Sequence, residues 1–186
     1  MFLIVGLGNP DPKHANNRHN VGFKLLDALN RNFGLSKQKP KFKGLLTNGN
    51  ILGHKCIVVK PLTFMNNSGS CIREIVDYHR VKIDDIFVFH DDMDIDLGKV
   101  KAKNGGSSAG HNGIKSIDDS IGPGFNRIRI GINHPIEKDD VEDHVLTDFT
   151  EEEKLIVDQV FKRIFKNMNF LIEKKLDDFS SKSNQQ

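Results

Sequence analysis

The sequence predicts an α/β fold, a single domain with a mixed central β-sheet surrounded by α-helices. Three observations predict it. Short apolar runs that suit buried strands, at residues 2–7, 57–59 and 86–89, alternate with segments of helical apolar spacing. Residues 99–103 and 126–132 alternate polar and apolar with period two, the mark of half-buried strands. The chain has 186 residues, 37% hydrophobic and 28% charged, which suits one core rather than several. Residues 1–180 are expected to form the domain, and residues 181–186 a polar tail that frays from about Ser180.

Each element follows in order. The first strand runs into the tight loop Gly6-Leu7-Gly8-Asn9-Pro10. A polar loop then leads to Asn20, the expected N-cap of a helix with Val21, Leu25, Leu26 and Leu29 on one stripe and Gly34 as its stop. Residues 41–60 hold two strand-like runs around Asn48-Gly49-Asn50 and Gly53, the second passing through Ile57-Val58-Val59 into Pro61. Ser68 opens a helix with Ile72, Ile75, Val76 and His79 on one face. The strand at 86–89 ends in a loop, His90-Asp91-Asp92-Met93-Asp94. Between the two alternating strands, Gly105-Gly106-Ser107-Ser108-Ala109-Gly110 forms a mobile loop that enters a helix near Asn112. Thr150-Glu151-Glu152-Glu153 has the capping-box pattern. The long helix after it carries Val157, Val160, Phe161, Ile164, Phe165 and Met168 at helical spacing, a stripe that core packing explains best.

The sum of charges decides little, since 27 Lys+Arg against 25 Asp+Glu leave only +2. Placement says more. Lys99, Lys101 and Lys103 share one side of their strand, as do Arg127 and Arg129 of theirs. If the strands are neighbours, these side chains form one positive patch suited to phosphates; otherwise they are two solvated sheet faces. The two cysteines, Cys56 and Cys71, sit in apolar surroundings and read as buried thiols in a reducing compartment. The apolar N-terminus is short and has neither a basic region nor a small-residue cleavage site. No apolar run is long enough to span a membrane, so the cytoplasm is the expected location.

Four loops could carry chemistry. Gly6-Leu7-Gly8 begins like a dinucleotide fingerprint, but Asp11 between Pro10 and Pro12 stands where the third glycine would be needed, so no nucleotide cofactor is expected. The glycines instead let the backbone turn and place Asn9 at a strand end. His19 lies in the same polar region, off any apolar stripe. The second loop offers Asn66, which can hold a water or an amide in fixed orientation, and Ser68, better used as a helix cap than as a nucleophile. The third clusters carboxylates beside His90 without the spacing of a divalent metal site, so no metal is expected. An aspartate there can hold a histidine ring and favour its imidazolium form. The fourth is the glycine-rich loop ending at Asn112, which could close over a substrate or be a surface linker.

Taken together, these motifs resemble the bacterial peptidyl-tRNA hydrolase family. The matching residues are Gly6-Leu7-Gly8-Asn9-Pro10, Arg18-His19-Asn20 with Gly22, and Thr63-Phe64-Met65-Asn66 with Ser68-Gly69. They continue with His90-Asp91 and Asp94, Gly110-His111-Asn112-Gly113, and Arg127-Ile128-Arg129-Ile130-Gly131 followed by His134-Pro135. The resemblance implies a monomeric, metal-free and cofactor-free enzyme that cleaves the ester between a peptide and the 3′ end of its tRNA. It implies His19 as catalytic base and Asp91 as its partner. Asn9, Met65, Asn66 and Asn112 would surround the attacking water and the peptide end, and Lys103 and Arg129 would grip the 5′ phosphate of the tRNA. Two residues depart from the family pattern. His14 stands in the substrate region where a tyrosine is usual, and Ala109 replaces a glycine of the loop.

Two other functions fit parts of this sequence. A non-catalytic RNA-binding relative would keep the basic strands but have no use for His19, Asp91 and the asparagines together. A general small-molecule esterase would use those residues and leave the lysine and arginine strands without a role.

Overall fold

Strands that are apolar on both faces must be buried on both faces, and here they are. The computed structural model describes residues 1–137 and 140–185. The chain runs β1 (Phe2–Gly6), α1 (Val21–Asn32), β2 (Lys39–Lys41), β3 (Gly44–Ile51), β4 (His54–Pro61), α2 (Ser68–His79) and β5 (Ile86–Asp92). It continues through β6 (Val100–Asn104), α3 (Asn112–Ile121), β7 (Asn126–Gly131), α4 (Val141–Val145), α5 (Glu151–Lys166), α6 (Met168–Ile172) and α7 (Leu176–Ser183). All seven strands join one sheet in the order β2-β3-β4-β1-β5-β7-β6. The central strands β4, β1, β5 and β7 are parallel; β3 is antiparallel to both β2 and β4, and β6 runs antiparallel to β7. This is the mixed, helix-covered sheet expected from the sequence.

The period of two in β1 sends Leu3 and Val5 to one face, where they meet Cys71, Ile72 and Ile75 of α2 and Ile114 and Ile117 of α3. Ile4 goes to the other, among Leu25, Leu26 and Leu29 of α1 and Val160, Phe161 and Ile164 of α5. Each fully buried aliphatic side chain contributes roughly 1.5–3 kcal/mol of transfer free energy. Both cysteines are free and buried, and burial raises their thiols to about 11 for Cys56 and about 12 for Cys71. No helix among the described residues is long and apolar enough to cross a membrane.

The strand order positions the site. From β4 the chain crosses by α2 to β5, on the opposite side of β1. Such a reversal leaves a crevice beyond the carboxyl ends of the strands. The ends of β1, β4 and β5 therefore converge there, followed respectively by Asn9, Met65 and the strand-borne Asp91.

Several local expectations need correction. Residues 48–50 do not turn; β3 runs straight through them, and the hairpin reverses at Leu52 and Gly53, with φ of 50° and 81°. β2 escaped notice because its hairpin turns at Phe42 and Lys43, both left-handed, where neither glycine nor asparagine marks the place. His90, Asp91 and Asp92 belong to β5 rather than to a loop. Ser68 caps nothing: its buried hydroxyl donates to Met65 O at 2.8 Å. Gly6 has no positive φ; what it provides is room, since a Cβ there would strike the backbone of Gly22 in α1. The C-terminal segment does not fray at Ser180. α7 lies along the free edge of β6, where Ala102 N donates to Ser180 Oγ at 2.9 Å. Asn184 bonds both the N–H and the carbonyl of Val100, at 2.9 and 2.8 Å.

Candidate active site

Asn9 is held by its neighbours before it can hold anything else. Its backbone N–H donates to Asn20 Oδ1 at 2.8 Å, and Asn20 Nδ2 donates back to its carbonyl at 2.9 Å. Asn20 thus spends its side chain on this clamp instead of capping α1. The Oδ1 of Asn9 accepts from Met65 N at 3.1 Å, so its amide NH2 remains the free donor. His19 is fixed from behind. Arg18, mostly buried, donates to Asp148 O at 2.8 Å, pairs with Glu153 Oε2 at 3.0 Å and stacks over Phe149 at 5.1 Å. That anchors the preceding loop to the start of α5.

The Nδ1 of His19 lies 2.9 Å from both oxygens of Asp91. Since the carboxylate accepts, Nδ1 carries the proton, and the lone pair of the outer nitrogen Nε2 faces the crevice without a partner among the described residues. Asp91 is 3% exposed. It also receives His111 Nε2 at 2.9 Å. His111 caps α3, its Nδ1 accepting from Gly113 N and Ile114 N at 3.1 and 3.3 Å. An Nδ1 that accepts leaves the proton on Nε2, so His111 donates to Asp91 in one fixed tautomer. A third ring, His90, donates from Nδ1 to the Asp91 carbonyl at 2.8 Å, while its buried Nε2 has no partner.

These contacts set the charges. Burial opposes charge on His19, but the Asp91 charge and hydrogen bond outweigh it and hold its pKa above the ordinary histidine value. Burial likewise opposes ionised Asp91, yet His19 and His111 together hold its carboxyl far below the usual range. His90 has no such compensation: burial, aided by the neighbouring His111, pushes it down to about 3, so it is neutral. His19, Asp91 and His111 bring ligand atoms within 4.8 Å of one another, the spacing of a metal site. The tautomer of His111 does not suit a cation, because its Nε2 proton points at the carboxylate and its Nδ1 is already accepting.

The crevice is lined by His19, Asn9, Met65, Asn66 and Asn112, with Glu142, Val145 and Leu146 of the α4 region along its rim. The sequence-predicted His19, Asp91, Asn9, Met65, Asn66 and Asn112 therefore gather at one place, with Met65 buried as its floor. His14 stands apart, its Nδ1 on Asn17 Oδ1 at 2.6 Å and its ring outside the crevice lining. β6 and β7 are neighbours, with Lys101 opposite Arg129 and Lys103 opposite Arg127. The basic patch is thus continuous, but Arg127 is withdrawn from it, buried on Asp118 at 2.7 Å. Arg129 Nε is tied to Asp92 at 2.7 Å. Burial and the charges of Arg129 and Arg127 lower the pKa of Lys103. Sequence reasoning named His90 and His111 within its motifs but gave them no role at the site, and it missed the rim from α4. Only the position of His111 just before a helix could have flagged it, and histidine is not a usual cap.

An imidazole with a free nitrogen, backed by a buried carboxylate and faced by carboxamides, is an arrangement able to take a proton from water, as hydrolases of the general-base class require. The family model described as Peptidyl-tRNA hydrolase matches residues 3–186. A peptidyl-tRNA hydrolase of Pelagibacter ubique is 61% identical over 184 residues, 99% of each chain. One from Rickettsia bellii is 43% identical over 183 residues, 98% of this chain and 99% of that one. The solved structure of the Acinetobacter baumannii peptidyl-tRNA hydrolase matches with a TM-score of 0.92 at 35% identity, over 99% of this chain and 94% of that one. The chain belongs to the peptidyl-tRNA hydrolase family, a family of hydrolases that act on peptidyl-tRNA.

Proposed function

We propose that His19 activates the water that cleaves the ester between the peptide and the terminal ribose of tRNA, returning the tRNA for reuse. The observation that carries this is the His19–Asp91 contact at 2.9 Å, with Nε2 left open to the crevice. Neutral His19 takes a proton from water as its oxygen attacks the ester carbonyl. Asp91 stabilises the imidazolium, and the proton passes to the departing ribose oxygen. The oxyanion is met by amide donors, chiefly from Asn112, Asn9 or Asn66. Base catalysis of this kind contributes on the order of 10²–10⁴-fold. Positioning supplies the remainder.

In this reading Met65 forms the floor under the acyl group, and His14, held by Asn17 on the flank of the same loop, is assigned to the outer part of the substrate. Lys103 and Arg129 take the 5′ phosphate; Arg129, with Nε on Asp92, offers its two terminal nitrogens. Carboxamides that pair with a peptide N–H but not with an ammonium would spare ordinary aminoacyl-tRNA. We further infer a monomer working in the cytoplasm. The test is His19→Ala, checked for folding by circular dichroism, with release of an N-blocked amino acid from tRNA timed. A loss of at least about 10²-fold is expected. Near-normal turnover would remove His19 from the base role.

A further inference from the structure

Beyond the edge of the sheet, α5, α7 and the start of β6 enclose a second cleft of about 810 Å³, larger than either part of the crevice. Four cations line it, Lys99, Arg163, Lys166 and Lys182, beside neutral Gln159 and Gln185. Among the described residues no carboxylate lines it. Lys99, Lys166 and Lys182 are exposed, and none of them is in an ion pair among the described residues. Some lysines elsewhere find acids, as Lys60 does with Asp27 and Lys174 with Asp84 and Asp85. Arg163 is the strut of the cleft, joining its walls by bonds to Ser183 O at 2.8 Å and Gly98 O at 2.6 Å.

This collection of like charge is continuous with the patch already described. Lys99, Lys101 and Lys103 follow one another at every second residue, roughly 7 Å apart along one side of the strand. Lys101 sits opposite Arg129. β6 lies two strands from β5, roughly 10 Å to the side of Asp91, and the cleft lies beyond it. A basic track thus leads from the crevice over the sheet edge into the cleft.

We propose that this cleft binds the sugar-phosphate backbone of the substrate's RNA at a distance from the ester, a second anchoring site for tRNA. The inference rests on the hydrolytic reading above. The lining argues for backbone rather than for a base or a free nucleotide. Among the described residues it contains no aromatic ring on which a base could stack, and its long exposed lysines are point charges suited to phosphates in any sequence.

The experiment compares wild type with the triple variant Lys99→Gln, Lys166→Gln and Lys182→Gln. Two substrates carry the same N-blocked amino acid, one on full-length tRNA and one on a short oligonucleotide from the tRNA 3′ end. With full-length tRNA the variant is expected to raise KM by about 10-fold at low salt with kcat retained. The dependence of log KM on log salt should flatten by about 2, at roughly 0.7–0.9 per lost phosphate contact. The short substrate should be cleaved as by wild type. Unchanged KM and salt slope on full-length tRNA would overturn the proposal. Equal losses on both substrates would overturn it too, since the cleft would then act on the crevice itself. A wild type unable to cleave either substrate would instead refute the hydrolytic reading beneath it.

Discussion

Two imidazoles share one carboxylate at Asp91, and that sharing decides the pH behaviour of the site. In the proposed base role His19 must be neutral, so activity should rise with pH through its pKa, which lies above the ordinary value of 6.5. Remove the charge by Asp91→Asn and burial is the largest influence left on His19, acting in the opposite direction. The midpoint of log kcat/KM against pH is expected to move from above 6.5 to below it. Turnover should fall by about 10²–10⁴-fold. A midpoint that stays in place would deny Asp91 its electrostatic part. The pairing of His19 with Asp91 was an expectation carried by the family resemblance of Arg18-His19-Asn20 and His90-Asp91, and the two side chains lie 2.9 Å apart. His111 was not legible in the sequence, since its two roles appear only when the start of α3 meets the end of β5. Ala109 shows another limit: it adopts φ 47°, a left-handed conformation that costs a non-glycine residue roughly 1–2 kcal/mol, and only the glycine usual at its position hints at it.

The first turn of α5 serves two purposes at once. Thr150 and Glu153 form the reciprocal capping box, with Glu153 N on Thr150 Oγ1 at 3.2 Å and Thr150 N on Glu153 Oε2 at 2.8 Å. The same Glu153 carboxylate pairs with Arg18, next to His19. The helix that covers one face of the sheet therefore also steadies the loop that bears His19. Glu153→Ala is expected to lose about 1 kcal/mol or more. That lowers Tm by about 2–4 °C and reduces kcat as His19 loses its brace. Glu153→Gln keeps an acceptor for the cap but not the charge for Arg18, so it should recover part of the stability. Thermal unfolding and single-turnover assays read both effects, and an alanine variant equal to wild type in both would dismiss the double role. The capping box was plain in the sequence from Thr150 and Glu153. Its tie to Arg18 was not, because the partners are 135 residues apart in sequence.

For the molecule as a whole, two histidines bend the pH dependence of stability in opposite directions. His90 is buried neutral, with its pKa pushed down to about 3. The unfolded chain takes up that proton near 6.5, so the stability it contributes is complete above 6.5 and is lost as pH falls toward 3. His19, with its pKa raised, contributes stability that is full below 6.5 and lost as pH rises through its folded value. Melting temperature should therefore decline as pH falls from 6.5 toward 3. His90→Asn, which keeps a donor for the Asp91 carbonyl but cannot titrate, should flatten that decline; an identical acid limb would exonerate His90. The layered α/β plan was readable from alternating apolar runs, and the two polar-alternating strands from their period. The order of strands was not, because it depends on which side of β1 each crossover takes. Nor could the sequence reveal that Ser180 and Asn184 supply side-chain bonds where an eighth strand would supply backbone ones. β6 is thereby closed to pairing with other chains, as a sheet edge must be to stay clear of aggregation. The closing residue Asn184 is synthesised 84 residues after Val100, which it covers. On the ribosome, then, this protein exposes a sticky border until Asn184 has been made, and a nascent chain halted before Ser180 would leave that border open.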